Sequence, residues 1–248
     1  MHDVVTDKLS PALPRSVSNP CVSCEVRSRA ICAVLTDTEL ADLGRVTEPA
    51  SLHLGDALFL EGDAAGACFI VQSGALKLYK LLPDGRRQIT GFLFKGDFLG
   101  MAPGDEYTYT AEELEPTKAC AVPRERMAGL VADYPKLANR LLNVAAMELA
   151  AAQDQMMLLG RKTARERIAS FMLWLSDRAR ERGDSANPVR VPMSRSDMGD
   201  YLGLTVETVS RTITKLKTSG LISLKEGNRI ELSDREMLEA LASGGRGN

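Results

Sequence analysis

Between residues 50 and 122 the apolar positions fall in short runs: SLHLGDALFLEG, CFIVQSG, ALKLYKLL, RQITGFLF and ACAVP, punctuated by Gly55, Gly62, Gly74, Gly85, Gly96 and Gly100. Alternation with period two sends successive side chains to opposite faces of a strand, so these runs predict a β sandwich or jelly-roll barrel with glycine corners. PDGR, residues 83–86, separates two such runs and predicts a hairpin turn. From about residue 124 the period becomes helical. Ala138, Leu142, Ala145, Leu149, Ala152, Met156 and Leu159 advance by four and three residues in turn, a heptad stripe whose small members allow close approach of another helix. Packing within the chain is the ordinary reading of such a stripe. Here a second apolar set, Leu141, Met147 and Leu158, is available for the home domain, which leaves the regular stripe to predict a parallel homodimer. RKTARERIASFMLWLSDRARERG predicts a further amphipathic helix ended by Gly183. Upstream, TDTELADLGRV predicts a short helix with Thr36 or Thr38 as N-cap and Leu40 and Leu43 on its apolar face. The residues before it, with Pro11, Pro14 and Pro20, read as an irregular arm.

The stretch PMSRSDMGDYLGLTVETVSRTITKLKTSGLISLKEGNRIELSD predicts two short helices joined by a glycine-containing turn, a helix-turn-helix. Ser194 or Ser196 caps the first helix, whose apolar positions are Met198, Tyr201 and Leu202, and Gly203 stops it. Thr205 caps the second, with Val206, Val209, Ile213 and Leu216 inward and Gly220 at its end. LISL and RIEL around EGN predict a wing. In a major groove the first turns of the second helix present base-reading side chains, and Glu207, Ser210 and Arg211 share that face. Arginine grips guanine O6 and N7 through two parallel hydrogen bonds and a carboxylate accepts from cytosine N4, so the set suits a site with G·C pairs. Thr205, Thr208, Lys215 and Lys217 suit phosphates or adjacent bases. An exposed helix face with an ordinary Glu–Arg pair is the plainer alternative.

These elements divide the chain into an arm (1–34), a jelly-roll sensor domain (35–130), a dimerisation helix (131–160), a winged helix-turn-helix (161–240) and a disordered tail (241–248), an α+β arrangement. The net charge of −2 hides an asymmetry: residues 1–160 carry −6, residues 161–229 carry +6 and the rest −2. A basic module beside an acidic one suits a domain that meets phosphate. No apolar run approaches the roughly 20 residues that a membrane helix requires, and the N-terminus has no hydrophobic signal region, so a cytoplasmic location is expected.

Three of the five cysteines, Cys21, Cys24 and Cys32, fall within NPCVSCEVRSRAIC, with no histidine near. A reducing compartment makes structural disulfides a poor explanation. A catalytic cysteine lacks a histidine base. A C-x2-C pair, a third cysteine and a remote fourth at Cys120 fit either a structural zinc site or an iron–sulfur cluster.

The order jelly roll, long helix, winged helix-turn-helix resembles the Crp/Fnr superfamily of bacterial transcription regulators over roughly residues 20–240. GLTVETVSR resembles the FNR-group recognition helix, whose E-x-x-S-R signature falls on Glu207, Ser210 and Arg211, and DGRRQITGF and GDFLG resemble the group's barrel. The resemblance implies a cyclic-nucleotide-binding-like jelly roll and a homodimer on double-stranded DNA at the FNR/FixK inverted repeat of TTGAT half-sites. It also implies a contact between RNA polymerase and the hairpin tip Asp84, Gly85 and Arg86, where a solvated turn is the plain alternative. Members that bind cyclic nucleotides carry an Arg-Ser or Arg-Ala pair after G-D-F-(I/L)-G. MAPGDEYTYTAEELEPTK has Glu106, Glu112, Glu113 and Glu115 but no arginine, and those carboxylates would repel a cyclic phosphate, so no cyclic nucleotide is expected. His2 and His53, the only histidines, offer no evident haem ligand.

In the FNR group a lone cysteine at the place of Cys120 joins three from the arm, so the resemblance implies a [4Fe–4S] cluster on Cys21, Cys24, Cys32 and Cys120. An arm tethered to the barrel beside the dimer helix suits a labile switch better than a rigid zinc staple, and a regulatory disulfide ranks third. Cys68 alternates into a strand and reads as a small core residue. The C-x2-C-x7-C arm resembles the FnrL/FnrN branch. Ala152 departs from the acidic residue that many FNR proteins carry in the stripe, which removes a like-charge opposition to pairing. The expectation is an oxygen- or redox-responsive transcription activator, not an enzyme, with a cluster-free regulator bearing a zinc-bound or unliganded arm as the alternative.

Overall fold

Thr36 opens the first helix of the computed structural model, which describes residues 21–245; the proline-bearing stretch 1–20 and the tail residues 246–248 lie outside the described residues. The chain divides into two units, Met1–Met147 and Glu148–Asn248. In the first, α1 (Asp37–Val46) is held by a reciprocal capping box: the Thr36 hydroxyl accepts from Glu39 N–H and the Glu39 carboxylate accepts from Thr36 N–H. Six antiparallel strands follow: β1 (Glu48–Leu52), β2 (Ala57–Phe59), β3 (Ala67–Leu81), β4 (Arg87–Phe94), β5 (Phe98–Leu99) and β6 (Thr110–Pro123). They run in the order β1-β6-β3-β4, with β2 also on β6 and β5 also on β3.

The sequence reading placed a corner at Gly74. The structure instead runs one fifteen-residue strand through it, with the register against β6 shifting between Ser73 and Leu76. Gly74 has φ +88°, and a Cβ there would meet Thr117 Oγ1 at 2.3 Å, so glycine serves a bulge inside a continuous strand. Period two then sorts β6. Ala119 and Ala121 face an inner core with Leu52, Phe69 and Leu76, where the Phe59 and Tyr107 rings stack at 3.7 Å. Cys120 and Val122 face outward, against Ile31, Leu40, Leu43, Met127 and Leu137. This second core is where the arm and the helices lie on the sheet. Each fully buried leucine in it contributes roughly 1.5–3 kcal/mol.

The helical region expected from residue 124 is broken. α2 (Arg124–Asp133) ends at Tyr134, and α3 (Pro135–Arg161) starts on a proline, whose missing N–H costs nothing at a first helical position. The dimerisation helix therefore begins four residues later than the expected 131.

In the second unit, α4 (Ala164–Glu181) is capped by Thr163, and α5 (Arg195–Leu202), α6 (Val206–Thr218) and α7 (Arg235–Ala242) follow. A three-stranded sheet, in the order β7 (Val189–Arg190), β9 (Arg229–Leu232), β8 (Ile222–Lys225), supplies the wing. The sequence reading missed α7 and let the tail begin at 241. Asp234 caps this helix, and Leu238 and Ala242 are buried, so ordered structure runs into that segment. Among the described residues, no helix is long and apolar enough to cross a membrane.

Candidate DNA-binding face and cysteine cluster

Ser194 and Thr205 are the caps of the two short helices. Ser194 forms a capping box with Asp197, and Thr205 Oγ1 accepts from Thr208 N–H at 3.2 Å. Between the helices, Gly203 takes the left-handed conformation, φ +62°. Gly199, which the sequence reading passed over, is as important to the turn: a Cβ there would lie 2.6 Å from the Leu204 carbonyl oxygen. Its signal was a glycine inside a short helix, where packing is the usual reason.

α6 turns Val209, Ile213 and Leu216 inward as expected, but Val206 is 43% exposed. It sits in the first turn, before the helix has reached the core. Thr212 is buried in its place. Glu207, Ser210 and Arg211 are exposed together, as are Thr205, Lys215 and Lys217, while Thr208 is half-buried and its hydroxyl pairs with that of Thr205 at 3.1 Å. The Glu207 backbone N–H, the Thr205 hydroxyl and the Arg211 guanidinium hold the Glu207 carboxyl below its ordinary value. It is therefore an anion at neutral pH and offers only acceptors, as a cytosine amino group requires. Replacing Arg211 with Ala is expected to remove about 1–3 kcal/mol of discrimination against the wrong base, with little change on random DNA. Gel-shift titrations on both duplexes check this, and equal losses would contradict the base-reading role.

Along α3, Leu142 (68%), Leu149 (61%) and Met156 (65%) of the stripe are exposed, and so are Ala145 and Ala152; Ala138 and Leu159 are half-buried. Of the set left for the home domain, Leu141 and Leu158 are buried, but Met147 is 60% exposed. Met147 lies on the same exposed middle turns of α3 as Leu142 and Leu149, so the expected packing of Met147 in the home domain is not found among the described residues.

The arm curls through backbone bonds from Arg27 N–H to Cys24 O and from Arg29 and Ala30 N–H to Val26 O into a 3₁₀ turn, Ile31–Val34. Arg27 pairs with Asp37 at 2.7 Å, and Arg140 Nη2 of α3 donates to Arg29 O at 3.1 Å. Cys21 and Cys32 are buried, and Cys24 and Cys120 half-buried. The thiols sense one another. Burial first, then Cys24, Cys21 and Cys32, push Cys120 up to about 12; burial, then Cys24 and Cys21, push Cys32 up to about 11; burial and Cys24 raise Cys21. Cys68 stands apart: burial raises it to about 11 with no cysteine contributing, and its thiol donates to Gly100 O at 3.9 Å. Among the described residues, no three His, Cys, Asp or Glu side chains converge on a single-ion site.

Thiols raised from 9.0 to about 11 and 12 are kept neutral by the fold. Their contribution to the stability of the metal-free protein is complete below the unfolded value of 9.0 and is lost as pH climbs through that value toward the folded ones. Urea midpoints of the metal-free protein are expected to fall over this window; a flat profile would contradict the burial.

The hairpin tip is exposed, with Arg86 Nε donating to Asp84 Oδ2 at 2.8 Å beside Leu81 and Leu82, which are exposed as well. Of the glutamates after GDFLG, Glu112 pairs with Lys77 at 2.6 Å and accepts from Tyr79 OH at 2.8 Å, while Glu113 accepts from Gly55 N–H.

Comparison with known proteins places this geometry. Residues 166–241 match the Crp-like helix-turn-helix domain and residues 49–134 the cyclic nucleotide-binding domain. The nitrogen fixation regulation protein FixK of Bradyrhizobium diazoefficiens is 39% identical over 223 residues, 90% of this chain and 94% of that protein. The transcriptional activator protein anr of Pseudomonas aeruginosa is 39% identical over 236 residues, 94% of this chain and 95% of that one. The solved structure of FixK2 from Bradyrhizobium japonicum superposes with a TM-score of 0.74 at 38% identity, covering 79% of this chain and 97% of that one. With both domains matched in the family's order and relatives aligned along nearly the whole chain, the protein belongs to the Crp/Fnr family of transcription regulators.

Proposed function

We propose that the protein is a transcription activator that binds an inverted repeat of TTGAT half-sites as a homodimer and responds to oxygen or redox state through a [4Fe–4S] cluster on Cys21, Cys24, Cys32 and Cys120. The observation that supports the cluster reading is that Cys21 and Cys32 of the arm and Cys120 of β6 join one buried cluster, with neighbouring cysteines adding to the burial that raises each of the three, while Cys68 is raised with no cysteine contributing. The donor set fits the group. Around one zinc ion, sulfurs about 2.3 Å from the metal stand only about 3.8 Å apart. In a cubane each of four cysteine sulfurs takes a separate corner, and Cys21, Cys24, Cys32 and Cys120 supply four such donors. When bound, such a cluster supplies an oxygen-sensitive link between the arm and the sheet. The chain's own residues carry the rest. Cys120 anchors the outer face of β6, the arm packs under α3 through Arg29 and Arg140, and α3 presents the stripe to a second copy. Pairing sets two copies of α6 about one DNA turn apart, as an inverted repeat requires. Loss of the cluster shifts this equilibrium only as far as the docked and loosened arms differ in free energy. The activator reading is supported by the relative named as an activator, and the exposed Asp84-Gly85-Arg86 tip is the proposed polymerase contact.

One observation favours the alternative of a regulator with an unliganded arm: Cys21 and Cys32 already pack as neutral thiols in an apolar core. Iron and acid-labile sulfide, measured per chain after anaerobic purification, separate the readings. A brown protein with about four of each, bleached by air, is expected. One zinc per chain, or no metal, would leave the alternative.

A further inference from the structure

Within the second unit, the end of α3, the start of α4 and the α5–α6 turn meet at one side chain. Arg167 donates from Nη2 to Leu159 O at 2.8 Å, from Nε to Lys162 O at 2.9 Å, and from Nη1 to Leu202 O at 2.7 Å and Gly203 O at 3.4 Å. The last carbonyls of a helix have no partner inside it, and a cation there also meets the negative end of the helix dipole. One guanidinium, with its fixed fork of donors, serves two helix ends at once. A second clasp lies beside it, from Gln155 Nε2 of α3 to Tyr201 O at 2.7 Å. Gly203 leaves the necessary space: a Cβ there would stand 3.2 Å from both Arg167 Nη1 and Leu159 Cδ2. Leu159 belongs to the stripe, and Met156 lies three residues before it. The end of the expected dimer seam and the turn that aims the recognition helix are thus held in one knot.

We infer that Arg167 is a positioning residue for DNA recognition, fixing the direction of α6 relative to the seam so that the spacing of two half-sites is read through it. The inference rests on the proposed binding of an inverted repeat by a homodimer. Inserting one base pair moves the second half-site by about 3.4 Å and rotates it by about 34–36°. A loose joint between seam and recognition helix absorbs that change, and a fixed one does not.

The test titrates wild type, R167A, R167K and Q155A with duplexes bearing inverted TTGAT half-sites whose spacer is lengthened or shortened one base pair at a time. Wild type is expected to lose about tenfold or more in affinity on leaving its best spacing, the equivalent of 1.4 kcal/mol. R167A is expected to flatten the profile to within about threefold, with sedimentation still showing the dimer. R167K, which keeps the charge but not the fork, should flatten it too, and Q155A partly. The single tryptophan, Trp174, lies 5.8 Å from Phe171 and 6.2 Å from Tyr201, ring to ring, so its emission reports that the domain remains folded. Should R167A lose that emission, R167K and Q155A carry the comparison. A purely structural role would lower affinity equally at every spacing, and that result, or an unchanged profile, overturns the proposal alone. A wild type indifferent to every inverted repeat would overturn the functional reading as well.

Discussion

Serine in place of any one of Cys21, Cys24, Cys32 or Cys120 is expected to bring iron and labile sulfide to background and to abolish air-sensitive DNA binding. Thiolate sulfur is the soft donor that an iron–sulfur cluster requires, and a serine hydroxyl of nearly the same size does not replace it at neutral pH. The prediction has its control in the same molecule. Cys68 is 2% exposed, as buried as any of the four, but no cysteine influences it and its thiol points to Gly100 O. Cys68→Ser is expected to retain the metal and to lose no more than about 1–3 kcal/mol of stability for burying a hydroxyl. Metal analysis of the five variants therefore distinguishes a specific ligand set from general sensitivity of buried thiols. Full iron in a Cys120→Ser protein would break the assignment, because Cys120 is the only one of the four that the sheet, and not the arm, supplies.

Leu149→Asp is expected to have the next largest effect, on association. The side chain lies at the middle of α3, in a stretch where Ala145, Ala152 and Met156 are also exposed. A second copy packed on the stripe would bury Leu149 from both chains. Withdrawing two leucines forfeits roughly 3–6 kcal/mol, or about 10²–10⁴ in the dimer dissociation constant, before any repulsion between facing carboxylates. Sedimentation equilibrium should show monomers at concentrations where wild type is dimeric, and affinity for an inverted repeat should fall toward that of a single half-site. Leu149 is 61% exposed in the single chain, so the Trp174 emission should not change. Unaltered self-association would remove the stripe from the account.

What was legible in the sequence was chiefly what is local. Thr205 is readable as a cap, and the other two caps narrow to Thr36 or Thr38 and to Ser194 or Ser196, because a cap bonds within three residues of itself; the structure selects Thr36 and Ser194. The exposed row Glu207, Ser210, Arg211 followed from helical periodicity alone. Misreadings came where a distant residue decides. Gly74 reads as a corner in sequence because the residue that requires it, Thr117, lies far along the chain in another strand. Met147 looks inward by hydrophobicity, yet it is 60% exposed. Nothing in the sequence singles out Arg167 within its amphipathic helix, because its partners at Leu202 and Gly203 become neighbours only through the fold. The cysteines are intermediate. Spacing alone left zinc and cluster both open, the resemblance named the set, and the fold adds that Cys21 and Cys32 of the arm pack in one cluster with Cys120 of β6.

The central claim is that one group of sulfur ligands ties the atmosphere to DNA occupancy. The direct measurement takes a single anaerobic preparation of the full chain, determines its affinity for an inverted TTGAT repeat, admits air, and determines it again while following iron and visible absorbance. Tight binding that weakens in step with bleaching is the expected result. A colourless, metal-free protein that binds the repeat equally tightly before and after air would contradict it.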